Sequence, residues 1–178
     1  DHVRNNFSDI HITRGSEQDV LSRYALAAQE TNADIIIRVT SDCPFFDWDL
    51  VDRCVNILID KNADAARTDR DGFPIGLDVE VFSRNALVIA DREAKNPFER
   101  EHVGPFIFGS HASQFYIERI KNDGLQWPEC RLTLDYPEDM LFINDVFKVV
   151  DPLAKTENFR LFLKNNAVVV QKNLMYLR

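Results

Sequence analysis

The sequence predicts an α/β fold with a mostly parallel sheet flanked by helices. β-branched apolar runs alternate with segments whose apolar residues recur at helical spacing, and two of those runs end in an acidic loop that leads into a helix. The loops are Arg38-Val-Thr-Ser-Asp42-Cys-Pro44 and Arg131-Leu-Thr-Leu-Asp135-Tyr-Pro137. Ligands of open α/β sheets gather at the carboxyl ends of the strands. One divalent ion between the two aspartates would suit chemistry on phosphate groups.

Taken in order, Val20, Leu21, Tyr24, Ala25 and Ala28 predict a helix over 17–31, its start marked by Ser16 and Glu17. The unbroken run Asp34-Ile-Ile-Ile-Arg-Val-Thr40 predicts a strand covered on both faces. Leu50, Val51, Cys54, Val55, Leu58 and Ile59 mark the next helix, and residues 63–68 a short strand. Asp69-Arg-Asp-Gly-Phe-Pro74 is turn chemistry; it is spelled like the start of a calcium loop but lacks the downstream glutamate. Leu77-Asp-Val-Glu-Val-Phe82 alternates as a strand with Asp78 and Glu80 on one face.

Ser83 is placed to cap a helix carrying Ala86, Leu87 and Ala90, and a further helix is expected from Arg100 to Phe108. Strands are expected at 114–120 and 129–134, the former and 77–82 being candidates for antiparallel pairing. Pro137 suits the first turn of a helix, with Glu138 and Asp139 at its positive end. Asp151-Pro152 ends that helix, and residues 151–178 predict a helix over 157–166 followed by a strand or extended tail.

At 178 residues and 45% hydrophobic, the chain reads as one domain with a single core. Its 21 basic and 29 acidic residues leave a net charge of −8, which argues against nucleic acid or an anionic membrane as partner. No apolar run reaches the length of a membrane span, and the polar start is not a signal peptide. Cys43, Cys54 and Cys130 form no CxxC pair, which fits a reducing, cytoplasmic setting. Cys43, beside Asp42, is either a nucleophile or a small thiol packed under the loop.

Five motifs appear in order: Gly15-Ser-Glu-Gln-Asp-Val-Leu-Ser-Arg-Tyr24, Arg38-Val-Thr-Ser-Asp-Cys-Pro44, Gly76-Leu-Asp-Val-Glu-Val-Phe82, Glu99-Arg-Glu-His-Val103 and Leu134-Asp-Tyr-Pro-Glu-Asp139. Together, over residues 14–165, they resemble the cytidylyltransferase-like proteins of spore-coat polysaccharide biosynthesis, relatives of the CMP-sugar synthetases. The resemblance implies a Rossmann-like nucleotide-diphosphosugar-transferase fold and magnesium-dependent transfer of CMP from CTP to a sugar acceptor, with release of pyrophosphate. Members of that family begin with an apolar strand and a basic, glycine-containing loop that holds the triphosphate. Neither precedes Asp1, so the expectation is an N-terminally truncated version of the fold, whose bare sheet edge either another chain or segment fills or a homodimer covers.

The resemblance makes Asp42 and Asp135 the Mg²⁺ ligands, with Asp42 also catalytic. The rival reading has Asp42 closing an Asx turn before Pro44 and Asp135 capping the helix begun at Pro137. Gly15, Ser16, Glu17 and Arg38 are the implied nucleotide-binding residues; the first three also read as an ordinary helix start. Asp19 and Arg23, four apart, read as a surface ion pair. Asp78 and Glu80 either form a substrate site that receives hydroxyls or a cation, or lie on a solvated sheet face. The resemblance gives Arg100, Glu101 and His102 an acceptor-sugar role, Arg100 and His102 as catalytic groups and Glu101 as a substrate contact, against a solvated helix face.

Three functions stay open at this level. The first is the cytidylyltransferase. The second is a metal-dependent glycosyltransferase, for which Asp47-Trp48-Asp49 offers a DxD spelling at a helix start. The third is a non-catalytic remnant that binds a nucleotide or a partner.

Overall fold

The computed structural model describes residues 2–69, 72–122, 124 and 126–176. Four strands, β1 (Ile35–Arg38), β2 (Ala65–Thr68), β3 (Glu80–Ser83) and β4 (Ile117–Ile120), form one sheet in the order β1-β3-β2-β4. β2 and β4 pair in parallel, with Ala65 opposite Ile117 and Thr68 opposite Ile120. β3 runs against its neighbours: the Thr68 N–H bonds the Val79 carbonyl at 3.1 Å, while Arg84 N–H bonds Asp34 C=O at 2.8 Å. The sheet is therefore mixed rather than mostly parallel. The antiparallel strand is β3, and β4, also a candidate for that role, is parallel.

By its internal contacts the chain forms two compact units, each built from two segments. The first comprises residues 1–36 and 82–116. It holds α1 (His2–Asn6), α2 (Val20–Glu30), α4 (Arg84–Glu93) and α5 (Pro97–His102). α2 packs against α4 and α5, and its buried Leu21 and Ala28 lie among the buried apolar residues of this unit, which include Ala86, Leu87 and Ala90. Ser83 caps α4 as expected, accepting the Ala86 N–H at 3.1 Å. The cap of α2 is Asp19, which accepts the Ser22 N–H at 3.0 Å, so the helix starts later than Ser16 and Glu17 suggest.

The helix expected from Arg100 to Phe108 is broken. Pro105 has no N–H and disfavours helical geometry at the residue before it. α5 ends at His102, Val103 turns at φ 65° and ψ −66°, and a separate π-helical turn follows over Phe106–Ser110. A buried β-branched residue at positive φ is strained, and the packing of Val103, Phe106 and Ile107, none exposed at all, holds it there.

The second unit comprises residues 37–81 and 117–178, with α3 (Trp48–Lys61), α6 (Pro137–Phe147), α7 (Thr156–Asn165) and α8 (Ala167–Val170). α3 begins at the buried cap Asp47 and ends at Asn62, left-handed at φ 50°. α6 and α7 meet around Phe45, whose ring lies 5.8 Å from Phe142, 5.0 Å from Phe147 and 5.2 Å from Phe159. Leu132, Ile143, Val146 and Leu163 complete this core.

Residues 129–134 do not form the expected strand. Only Arg131 makes a single parallel bridge, to Ile75. Nor is there a C-terminal strand among the described residues: after α7 the chain continues as the short α8 and a 3₁₀ turn at Leu174–Tyr176. In the expected turn at 69–74, Gly72 N–H bonds Asp69 C=O at 3.3 Å; Arg70 and Asp71 of that segment lie outside the described residues.

Gly76 adopts φ 101°, and a β-carbon there would collide with the backbone of Leu132. Gly76→Ala is expected to cost about 2–4 kcal/mol by combining backbone strain with overpacking. A lowered urea midpoint at unchanged m-value checks it.

Candidate active site

Five of the predicted site residues fall in the second unit: Arg38, Asp42, Asp78, Glu80 and Asp135. Asp42 lies in a tight loop closed by its backbone, Cys43 N–H bonding Thr40 C=O at 3.1 Å. The N–H of Leu134 bonds the Asp42 carbonyl at 2.8 Å, tying this loop to the residue immediately before Asp135. The two acidic loops, 93 positions apart in the chain, are thus joined by a main-chain hydrogen bond.

Neither carboxylate has the architectural job left open by the sequence. The Asp42 side chain meets the Cys43 thiol at 3.8 Å rather than closing an Asx turn. Asp135 is not the helix cap either: α6 is capped at Tyr136, and the exposed Asp135 carboxylate pairs with Arg131. The Cys43 thiol is pushed up, first by burial and then by the charges of Asp42 and Asp78, a bond from Thr40 acting the other way. The direction favours a small thiol packed under the loop over a nucleophile. Burial pushes Cys54 and Cys130 up to about 12.

The Asp135 loop is held from beneath by a residue read from sequence only as a first-turn acid. Asp139, fully buried, accepts the N–H groups of Asp135 at 2.8 Å and Tyr136 at 2.9 Å on one oxygen. Its other oxygen takes Asn173 Nδ2 at 2.9 Å and faces Arg131 Nε at 3.4 Å. Asn173, also fully buried, donates in addition to the Arg131 carbonyl at 3.1 Å. Tyr176 stacks on Tyr136 with ring centroids 3.9 Å apart, and its hydroxyl donates to Glu138 at 3.0 Å. The signal for Asp139 was half legible, an acid three residues past a helix cap; nothing local announces Asn173 or Tyr176.

Asp78 and Glu80 do share a partner. Buried Arg67, on β2, lies 3.6 Å from Asp78 and 3.7 Å from Glu80, and Arg38 donates to Glu80 at 3.3 Å. Glu80 is buried and its charge is compensated by the two arginines; Asp78 is the more open of the acids. Arg67 was missed, although a lone arginine inside Ala63–Thr68 opposite an acid pair is a signal for a buried counter-charge.

The remaining predicted residues, Gly15, Ser16, Glu17, Arg100, Glu101 and His102, belong to the first unit. Gly15, Ser16 and Glu17 are exposed in the loop before α2, where Ser16 Oγ accepts the Asp19 N–H at 3.2 Å. Arg100 is a brace rather than an open acceptor contact. It grips Asp19 through two bonds of 2.9 and 2.7 Å and Asp91 through two more, 2.6 Å to the carbonyl and 2.8 Å to the carboxylate. These fix α2, α4 and α5 together. The Arg100 bond is the main cause holding the Asp19 carboxyl below its ordinary range. Glu101 and His102 are exposed, the imidazole meeting the edge of Phe98 at 4.4 Å. Buried Glu99 accepts the Ser110 hydroxyl at 2.5 Å and anchors the π-helical turn.

Arg100→Ala should therefore act on stability, lowering it by about 1–3 kcal/mol, since its partners are partly solvated. Thermal unfolding checks it. Asp47 is committed as well: one oxygen accepts the Asp49 N–H at 2.8 Å and the other receives the N–H and hydroxyl of Thr156. Asp49 faces Lys155 at 3.7 Å. The DxD spelling is thus a helix cap with a tie to α7.

A cytidylyltransferase sequence model matches residues 1–175, and the chain belongs to that family. It is 34% identical over 151 residues to the "Uncharacterized protein MJ1063" of Methanocaldococcus jannaschii, spanning 82% of this chain and 59% of that protein. It is 30% identical over 139 residues to the spore coat polysaccharide biosynthesis protein SpsF of Bacillus subtilis, spanning 77% of this chain and 57% of that one. The chain thus spans under two thirds of the length of these relatives. Among solved structures, a cytidylyltransferase from Leptospira borgpetersenii serovar Hardjo-bovis superposes with a TM-score of 0.85 at 26% identity, covering 95% of this chain and 71% of the other. A nucleotide-diphospho-sugar transferase structure from Desulfovibrio desulfuricans G20, at 16% identity and TM-score 0.51, shares the fold over 90% of this chain and 64% of its own. No helix among the described residues is long and apolar enough to cross a membrane.

Proposed function

We propose that the chain carries the metal half of a magnesium-dependent cytidylyltransferase that transfers CMP from CTP to a sugar of a surface polysaccharide, releasing pyrophosphate. The observation that carries this reading is the Leu134–Asp42 bond, which joins the two loops bearing Asp42 and Asp135. Among the described residues no three His, Cys, Asp or Glu side chains form a metal cluster. Two hard carboxylates fit Mg²⁺, which takes one or two of them and completes its shell with water and phosphate oxygens. Bound there, the ion would neutralise charge developing on the transferring phosphoryl group and on pyrophosphate.

The protein's own contribution is placement. Asp139, Asn173 and the Tyr136–Tyr176 stack hold the Asp135 loop in one geometry, and the main-chain bond keeps the Asp42 loop beside it. Arg131 pairs with Asp135, and Arg67 with Asp78 and Glu80, so these three acids carry no large uncompensated charge. In the reaction a sugar hydroxyl loses its proton, its oxygen bonds the α-phosphorus, and the bond to the β-phosphate oxygen breaks. In the first unit, Glu101 and His102, exposed on α5, are proposed by themselves as contacts of the acceptor sugar. Gly15, Ser16 and Glu17 are proposed for the nucleotide. Pyrophosphate release from CTP, assayed with a panel of sugars with and without Mg²⁺, tests the reading. Release that requires both metal and sugar supports it; no pyrophosphate from CTP, beside transfer or hydrolysis of a nucleotide-sugar donor that frees the nucleoside phosphate, overturns it.

A further inference from the structure

The spacing of Asp19 and Arg23 predicts an ion pair across one turn of α2, but the structure breaks it. Asp19 gives both oxygens to Arg100, at 2.9 and 2.7 Å. Arg23 is left half-buried with its Nε enclosed and making no hydrogen bond, and no carboxylate among the described residues pairs with it. A guanidinium does not lose its charge at neutral pH, so this one stays cationic and open to an anionic ligand. The side chain lines a cavity of about 360 Å³ with His2, Thr13, Arg14 and Gly15. A concave site lined by an unpaired guanidinium attracts anions. Gly15 belongs to the same device: a β-carbon there would stand 2.8 Å from Arg23 Cγ, so only glycine lets the loop lie against the arginine stem.

We propose that Arg23 anchors an oxyanion site taking a phosphate group carried on a small molecule, the cavity being roomier than one bare oxyanion requires. The site rests on, and sharpens, the cytidylyltransferase reading: the phosphate belongs to the nucleotide or to a phosphorylated acceptor. The planar fork of arginine suits phosphate in a way that lysine does not.

The test is calorimetric titration of the 178-residue chain with inorganic phosphate at fixed ionic strength, against a chloride control. Saturable binding to the wild type is expected, weakened about tenfold or more in Arg23→Gln, as loss of a charge-assisted bond dictates. Arg23→Lys should bind between the two, and it serves the comparison if Arg23→Gln does not fold. Gly15→Ala, which disturbs the arginine while retaining it, should also weaken phosphate. Competition by Mg·CTP assigns the phosphate to the nucleotide; undiminished binding beside saturating Mg·CTP assigns it to the acceptor. Asp42→Ala should bind phosphate as the wild type does, so loss of turnover there leaves the Arg23 site readable. Equal affinity in the wild type and both Arg23 variants, or no binding beyond the chloride control, overturns the proposal.

Discussion

Asp42→Ala should abolish metal-dependent pyrophosphate release from CTP, a loss of about 10²-fold or more, while thermal stability stays within about 0.5 kcal/mol of the wild type. The separation of the two effects follows from how the loop is held. The bonds that fix residue 42 are made by backbone, Cys43 to Thr40 and Leu134 to Asp42, and truncating the side chain leaves both in place. What is lost is a half-buried carboxylate whose side-chain contact among the described residues is a weak thiol bond of 3.8 Å. Initial rates across a Mg²⁺ titration, beside a melting curve, check both halves. Retained turnover would take the metal away from Asp42.

Asp139→Ala is expected to behave in the opposite way, lowering stability by about 3–5 kcal/mol and turnover with it. Its removal strips the acceptor from the Asp135 and Tyr136 N–H groups and from Asn173, and leaves Arg131 facing Asp135 alone. Burial by itself would push the Asp139 carboxyl up, but the bonds from Asp135, Asn173, Tyr136 and Arg131 outweigh it and hold it below its ordinary value. A carboxyl depressed in the folded state contributes stability that is present in full above its unfolded value, near 3.9, and is lost as pH falls through the lower folded value. The wild type should therefore lose stability steeply below about pH 4, and Asp139→Asn should show a flatter dependence there. Urea midpoints from pH 7 to 2.5 measure the difference.

The helices were legible wherever a cap and an apolar period agreed: Ser83 before α4, Pro137 opening α6, and the Leu50–Leu58 face of α3. The strand at 35–38 announced itself by its run of three isoleucines, whereas that at 65–68, Ala-Ala-Arg-Thr, carries a weaker apolar signal. Residues 129–134 have the composition of a strand too, yet they make one bridge, because pairing depends on a partner that local pattern does not encode. The run from Arg100 to Phe108 looked helical by periodicity, and Pro105 overrode it.

At the site, the acidic loops were visible because each follows an apolar run and precedes a helix. Which charges compensate them was not. Asp19 and Arg23 looked paired by spacing, and only the fold could bring Arg100 from position 100 to take Asp19 away. Arg67, Asn173 and Tyr176 act across 11 to 42 positions of chain, and no local sequence rule reaches that far.

The most direct test of a shared ion is a Mn²⁺ titration, followed by electron paramagnetic resonance in the presence of CTP, on the wild type, Asp42→Asn, Asp135→Asn and the double variant. If one cation bridges the two loops, each single substitution should weaken Mn²⁺ binding and the second should add far less than it costs alone. Fully additive losses, or affinity unchanged in either single variant, would contradict it.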